Sequence, residues 1–314
     1  MTLPNSPLAI QTSQLTKRYG RFTALNQLDL QIPRGTLFGF IGPNGAGKTT
    51  TLRMLAGLLE PSSGQIHLNG QNISQDVAAA RWQVGYMPDF FGVYEDMKVW
   101  EYLDFFARCY KLESARRSRV VTELLELVDL ASRRDAWVES LSRGMRQRLC
   151  LAHALVHDPQ ILLLDEPASG LDPRARIEMR ELLKELSSMG KTILISSHIL
   201  AELAEMCDQV GIVEHGRLLY SGSPQQINNP TQRQIRLRTL AANEAVEAVL
   251  NNYLGVTSFQ PDETGWDINF NGHDEQLAGL LAHLVESKIP IIHFSEMTSN
   301  LEAVFMEITS GEVK

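Results

Sequence analysis

Along roughly the first 223 residues, short apolar runs alternate with stretches whose apolar positions recur at helical spacing. ILLLDEP (161–167) and KTILISSH (191–198) are near-continuous apolar runs ending in polar residues, as expected for strands buried in a parallel sheet. Polar groups after such strands sit at carboxyl ends, where open α/β sheets bind ligands. TLFGFIG (36–42) reads as another short apolar strand, and TTLRMLAGLL (50–59) after it has helical periodicity. The opening differs: LAIQTSQLTKRYG (8–20) and ALNQLDLQIPRG (24–35) read as antiparallel strands leading into TLFGFIG. Between the apolar runs lies a helical insertion, about 88–155. There Val99, Leu103 and Phe106 are helically spaced, and a further helix runs from about Ser114 to Leu130.

The pattern then breaks at SGSPQQINNPTQ (221–232), whose Pro, Asn, Gln and Ser mark a boundary. This gives a first domain over 1–224, a linker over 225–232 and a second domain over 233–314. In the second, RQIRLRTL, TSFQPDETGWDINF and IPIIHFSEM read as a strand, a hairpin turning near Asp262–Gly265 and a strand. NEAVEAVLNNYL and DEQLAGLLAHLVES read as helices. Strand–helix–strand–strand–helix–strand predicts a small α+β, ferredoxin-like sandwich, with SNLEAVFMEITS (299–310) as an extra closing helix.

With 314 residues, 44% of them hydrophobic, the chain can bury a large core in two domains. Its formal net charge of −8 argues against nucleic acid held by bulk electrostatics. The basic clusters at Arg116, Arg117 and Arg119 and at Arg133 and Arg134 read as solvated helix faces. Cys109, Cys150 and Cys207 are scattered and lack metal-ligand spacing, which fits a reducing cytosol. The start has no signal-peptide pattern and no apolar run approaches ~18 residues, so a membrane role requires a partner.

The strongest chemical signal is GPNGAGKTT at 42–50, which fits Gly-x-x-x-x-Gly-Lys-[Ser/Thr] as Gly42, Gly47, Lys48 and Thr49. Gly42, Gly45 and Gly47 allow a tight backbone turn and a close approach to an anion. The loop from Gly42 through Pro43, Asn44, Gly45, Ala46 and Gly47 to Thr50 then lines a phosphate concavity with successive N–H groups at a helix start. Lys48 reaches the β- and γ-phosphates and the Thr49 hydroxyl can ligate Mg²⁺. Strand, loop, Lys-Thr and helix in register outweigh a chance glycine-rich turn. The complementary element is ILLLDEP, where Asp165 can hold the Mg²⁺ shell and Glu166 can orient or deprotonate the attacking water. The bland alternative for this pair is a surface salt bridge.

LSRGMRQRLCLAHAL (141–155), shortly before ILLLDEP, is similar to the signature of the ATP-binding cassette (ABC) ATPases, Leu-Ser-Gly-Gly-Gln followed by a basic amphipathic helix. Here it stands as Leu141, Ser142, Arg143, Gly144 and Met145. Alone, Ser142 could merely cap the helix beginning near Gly144. Tyr19 matches the family's adenine-stacking aromatic, though it could be packing at a strand end. SGLD (169–172) matches the loop that crosses the dimer interface, and His198 matches the histidine contacting the γ-phosphate. His67, His153, His157 and His215 have no such placement and receive no role. Two departures stand out. Asp89 occupies the place after GYxP where the family usually has Gln, and Met145 replaces the signature Gln. Asp89 could still reach the metal through water, but it donates no hydrogen bond.

The resemblance covers about residues 9–223 and implies a fold: a P-loop ABC ATPase domain with a mixed, largely parallel sheet core, an antiparallel β subdomain and a helical subdomain. The tail resembles the small domain on ATPase subunits of ABC-2-type exporters, most closely over FSEMTSNLEAVFMEIT. The resemblance implies ATP and Mg²⁺ as cofactors. It also implies a second copy, or a related ABC subunit, that supplies Leu141, Ser142, Arg143, Gly144, Met145 and Asp172 in trans. The implied setting is the cytoplasmic face of a membrane, beside a separately encoded multi-spanning permease. The aromatic stretch 90–106 would supply part of the groove receiving a cytoplasmic helix of that permease, with core packing as the alternative. A soluble ABC ATPase acting on ribosomes or DNA is the rival function. Such proteins usually carry two cassettes or long coiled coils, and this chain has one cassette, no heptad insertion and an acidic balance. A P-loop kinase or GTPase would not carry LSRGM, SGLD and His198 in series.

Overall fold

A computed structural model describes residues 7–73, 81–90, 92, 94, 96–224, 232–240, 243–262 and 265–297. The chain divides into two units, Met1–Ser221 and Gly222–Lys314. In the first, β1 (Leu8–Tyr19) and β2 (Phe22–Pro33) pair antiparallel. With β4 (Ser63–Leu68) and β5 (Gln71–Asn72) they make a sheet of order β2-β1-β4-β5.

The second sheet of this unit has the order β10-β9-β3-β8-β7-β6. Its strands are β3 (Leu37–Ile41), β6 (Val84–Met87), β7 (Ile161–Asp165), β8 (Thr192–Ser197), β9 (Gln209–Glu214) and β10 (Arg217–Gly222). β9, β3, β8, β7 and β6 run parallel to one another. Every residue of β3, β7 and β8 is buried, which is why these segments are apolar on both faces rather than alternating. α1 (Lys48–Leu55) follows β3, and its Leu52 and Leu55 share one core with Leu15, Leu25 and Leu28 of the antiparallel sheet and Phe38, Phe40 and Leu163 of the parallel one.

The helical segment holds α2 (Val99–Cys109), α3 (Ser114–Leu127) and α4 (Arg143–Leu155). α5 (Pro173–Ser188) and α6 (Leu200–Ala204) follow β7 and β8. The aromatic stretch divides in two. Tyr102 is buried with Val99 and Leu103, whereas Phe90, Tyr94 and Phe105 are exposed; Phe91 lies outside the described residues. Two imidazoles fasten α4 and the turn after it to α2 and the residue that follows it. The His153 ring stacks on Phe106 at 3.6 Å between centroids, and His157 stacks on Tyr110 at 4.0 Å. Burial, with His157 second, pulls the His153 pKa down to about 4, so it serves as a neutral aromatic plane. Burial lowers His157 as well.

In the second unit, β11 (Gln232–Thr239), α7 (Asn243–Asn252), β12 (Val256–Asp262), β13 (Gly265–Asn271), α8 (Asp274–Glu286) and β14 (Ile291–Met297) follow one another. The sheet order is β12-β13-β11-β14 with every pair antiparallel, the ferredoxin-like arrangement. Trp266, Ile268 and Phe270 of β13 alternate inward onto Val246, Leu250, Leu280 and Leu284 of the two helices. Residues 225–231 of the expected linker and the expected closing helix over 299–310 lie outside the described residues.

Candidate functional site

Parallel register brings the carboxyl ends of β3, β7 and β8 level. Ile41 pairs with Ser197, and Asp165 pairs with Ser196. The loop after β3 therefore begins beside the end of β8: Gly42 N–H donates to the Ser197 carbonyl at 3.3 Å. Glycine is required here by space and by backbone. A Cβ on Gly42 would stand 2.2 Å from the Val213 carbonyl oxygen, and one on Gly47 would stand 2.8 Å from that of Ala24. Gly45 and Gly47 have φ of 85° and 105°, a region that L side chains avoid. The β9–β10 turn braces the loop, since Gly216 N–H donates to the Ala46 carbonyl at 3.0 Å. Pro43, Asn44 and Gly45 are exposed, Ala46 is buried, and Thr49 and Thr50 are half-buried at the start of α1.

Lys48 is 7% exposed at its side chain and stands 3.5 Å from Glu166 Oε1. Its Nζ donates to the Gly42 carbonyl at 2.6 Å and to that of Pro43 at 3.3 Å. β7 ends abruptly because Glu166 turns left-handed, with φ 50°. The two carboxylates consequently diverge. Asp165 is buried, and its Oδ1 accepts from Ser196 Oγ at 2.6 Å while its buried Oδ2 has no hydrogen-bond partner. Glu166 N–H donates to Ser196 Oγ at 3.1 Å, and its Oε2 lies 3.0 Å from His198 Nδ1. Lys48, Asp165, Glu166 and His198 are thus brought together, with Ser196 fixing both carboxyl residues. Sequence reading passed over Ser196; its only signal was a position one residue inside the end of an apolar strand.

The signature segment sits elsewhere. Leu141 is buried, Ser142 is exposed, and Gly144 and Met145 are half-buried at the start of α4. Ser142 is the N-cap, its Oγ accepting from Met145 N–H at 3.3 Å. Arg143 turns toward its own chain, donating from Nη2 to the Ser169 carbonyl at 3.0 Å. Asp172 caps α5, accepting from Ala175 N–H at 2.9 Å. Among the described residues, no hydrogen bond or ion pair joins 141–145 to 42–50 of the same chain.

Tyr19 ends β1 and is 49% exposed, and Lys17 Nζ lies 5.3 Å from its ring centroid. Asp89 is exposed, just past β6. Tyr86 of β6 feels the charges of Asp165 and Asp89. Burial first, then Asp165, raises the Tyr86 pKa; Arg53 opposes this and Asp89 adds a smaller push upward.

Residues 25–169 match the model of the ABC transporter family. Nod factor export ATP-binding protein I of Cupriavidus metallidurans is 44% identical over 218 residues, 69% of this chain and 72% of that protein. The chain belongs to the ABC transporter family. It is an ATP-binding ATPase subunit of that family. The likeness also runs nearly full length. The Nod factor export protein of Ralstonia nicotianae is 35% identical over 96% of this chain and 93% of its own. Linearmycin resistance ATP-binding protein LnrL of Bacillus subtilis is 30% identical over 97% of this chain and 99% of its own. Among solved structures, CbiO1 of Clostridium perfringens, part of the ABC transporter complex CbiONQ, superposes with a TM-score of 0.66 at 29% identity, over 71% of this chain and 91% of that one. Among the described residues of this ABC subunit, no helix is long and apolar enough to cross a membrane.

Proposed function

We propose that this ABC ATPase powers export through a separately encoded multi-spanning partner, working at the cytoplasmic face of the membrane as one of two ATPase subunits. What carries the hydrolytic part is one observation: the partnerless buried Oδ2 of Asp165 beside a Glu166 held between Lys48 and His198. Support for export comes from the near-full-length relatives, whose names place them in Nod factor export and linearmycin resistance.

The residues fit a magnesium nucleotide. Among the described residues no three His, Cys, Asp or Glu side chains gather into a metal cage, which suits an ion that takes one or two protein ligands and completes its shell with phosphate and water. Thr49 and Asp165 would hold that ion, with Asp89 acting through water. The chemistry such an ion would supply there is neutralisation of phosphate charge and alignment of the transferred group. The backbone of 42–50 cradles the phosphates at the head of α1, and Lys48 turns from loop carbonyls to phosphate oxygen. Glu166 takes the proton of the attacking water, and His198 holds Glu166 while facing the γ-phosphate. Tyr19 stacks on adenine. Leu141–Met145, Arg143 by its backbone alone, and Asp172 complete the site of the opposing subunit, a second copy or a related ABC chain. Closure is favoured by the higher affinity of the paired state for ATP. The exposed Phe90, Tyr94 and Phe105 receive a cytoplasmic helix of the membrane partner.

The test is size-exclusion chromatography of the full chain carrying Glu166→Gln, with ATP. A dimer is expected; a monomer with ATP bound overturns the shared site. Purification from detergent-solubilised membranes should bring down a multi-spanning protein, whereas ribosomes or DNA in its place would overturn the transport reading.

A further inference from the structure

Arg143 departs from the glycine usual at its place in the signature, and its side chain is committed within its own chain. The Ser169 carbonyl accepts from Arg143 Nη2 at 3.0 Å and from the buried Gln147 Nε2 at 3.2 Å. The guanidinium lies against the backbone of Gly170, where a Cβ would stand 2.4 Å from Arg143 Cζ. Gly170 also has φ 66°. The same short segment is tied back to the strand end, because Ser169 N–H donates to the Glu166 carbonyl at 3.0 Å. A continuous path of contacts therefore runs from the signature turn through Arg143 and Ser169 to Glu166. A second tie lies alongside: a Cβ on Gly144 would stand 3.1 Å from Ala175 Cβ, and Ala175 N–H is the group that Asp172 caps.

We propose that Arg143 is a positioning residue that couples the two ATP sites of the dimer. This rests on the reading that the signature segment completes the opposing site while Glu166 serves its own. Under that reading Ser142 and Gly144 are drawn to the nucleotide of the partner subunit. The planar guanidinium, clamped on Ser169 and Gly170, passes that displacement to the loop that sets Glu166. A planar fork suits the task better than an ammonium, since it lies flat on a glycine backbone while still donating sideways. Arg143 touches no reacting atom in this account, so its loss should appear in turnover and not in nucleotide affinity.

The experiment measures phosphate release, nucleotide binding and thermal stability of the full chain carrying Arg143→Ala, Arg143→Lys, Gly170→Ala and the Arg143→Ala/Gly170→Ala pair. Misplacing a base by about 1 Å can cost as much as ~10²-fold, so Arg143→Ala should lower kcat by about ten- to a hundredfold with KM and ATP affinity little changed. Arg143→Lys should recover only part of the loss. Gly170→Ala should lower kcat similarly in the parent and add less once Arg143 is gone, when only the strain of a left-handed alanine remains. Parental kcat in Arg143→Ala, or a raised KM with kcat intact, would overturn the proposal, the latter marking a direct nucleotide contact. Fully additive losses would do the same. In parallel, Glu166→Gln with ATP is run with and without Arg143→Ala. A dimer in both is expected. A dimer lost only with Arg143→Ala would make the residue an interface contact and sink the coupling role. A monomer in Glu166→Gln alone would remove the two-subunit reading, and the coupling with it.

Discussion

In Met1–Ser221 the interior contains Lys48, Gln147, Asp165, Lys191, Ser196 and Ser197 among its buried side chains, whereas the described interior of Gly222–Lys314 is Ile235, Leu237, Val246, Trp266, Ile268, Phe270 and their apolar neighbours. Both units set helices on a β-sheet. In the C-terminal unit, local preference and global fold agree: β13 alternates Trp266, Ile268 and Phe270 inward with Asp267, Asn269 and Asn271 outward, as an antiparallel sheet with one wet face should. In the nucleotide unit they disagree at the strand ends. Glu166 is left-handed without being glycine, and Asp165 hides an oxygen with no partner. Such local costs, about 1–3 kcal/mol for a residue held in a sparse backbone region, persist where function requires them. The proposed chemistry falls at strand ends that carry such costs.

The comparison breaks most easily at Glu166. Replacing it with Gln should lower steady-state phosphate release by about 10²–10⁴-fold, the usual contribution of a general base, while the unfolding midpoint stays near the parent's. A fall of less than tenfold would take the base role away from this residue. In the C-terminal unit the mirror experiment is Trp266→Ala. Removing a fully buried indole should cost that unit about 3–5 kcal/mol, seen as an earlier urea transition, with ATP binding to the nucleotide unit unchanged. Weakened ATP binding would show that the two units do not separate their tasks.

A smaller effect concerns pH. His153 titrates at about 4 in the fold, below the ordinary histidine value near 6.5. Above pH 6.5 neither the folded nor the unfolded state holds the proton. As pH falls from there toward 4, the unfolded chain takes it up first, so stability declines by up to about 1.4 kcal/mol per pH unit. His153→Phe keeps an aromatic plane on Phe106 and should flatten this slope between pH 6.5 and 5 in denaturant titrations. An unchanged slope would place the titrating group elsewhere. The smallest effect belongs to a surface pair: Arg233 faces Asp274, whose side chain is 91% exposed. Arg233→Ala should move stability by about 0.2–1 kcal/mol and leave phosphate release alone, as measured by urea titration beside the ATPase assay.

The fold was legible wherever burial leaves a one-dimensional mark. β3, β7 and β8 are buried along their whole length and so read as unbroken apolar runs. β11 through β14 read as strands and α7 and α8 as helices from periodicity alone. Glycines at 42, 45 and 47 pointed to a tight turn, and each has a reason: Gly42 has no room for a Cβ beside the Val213 carbonyl, and Gly45 and Gly47 have φ of 85° and 105°. What sequence reading missed depends on contacts across space. Ser196 reaches Asp165 and Glu166 from the neighbouring strand, Gly216 braces the loop through Ala46, and Arg143 holds Ser169 from another helix. None of these has a periodicity to detect. The histidines at 153 and 157 carried no readable role for the same reason, since a neutral imidazole stacked on a ring is recognisable only once the ring is beside it. The aromatic stretch gave a single compositional signal and turned out to serve two environments, with Tyr102 inside and Phe90 outside.

β8 acts as the gauge to which the other two strands are cut. Its last two residues face different clients: Ser196 offers its hydroxyl to the end of β7, and Ser197 offers its carbonyl to the start of the loop after β3. Lengthening β8 by one residue would change no motif, yet it would exchange those faces and shift the phosphate loop against the carboxylates by about 3.3 Å. Grafting this nucleotide site into another protein would therefore demand the spacing of a strand that supplies none of its signature motifs before His198.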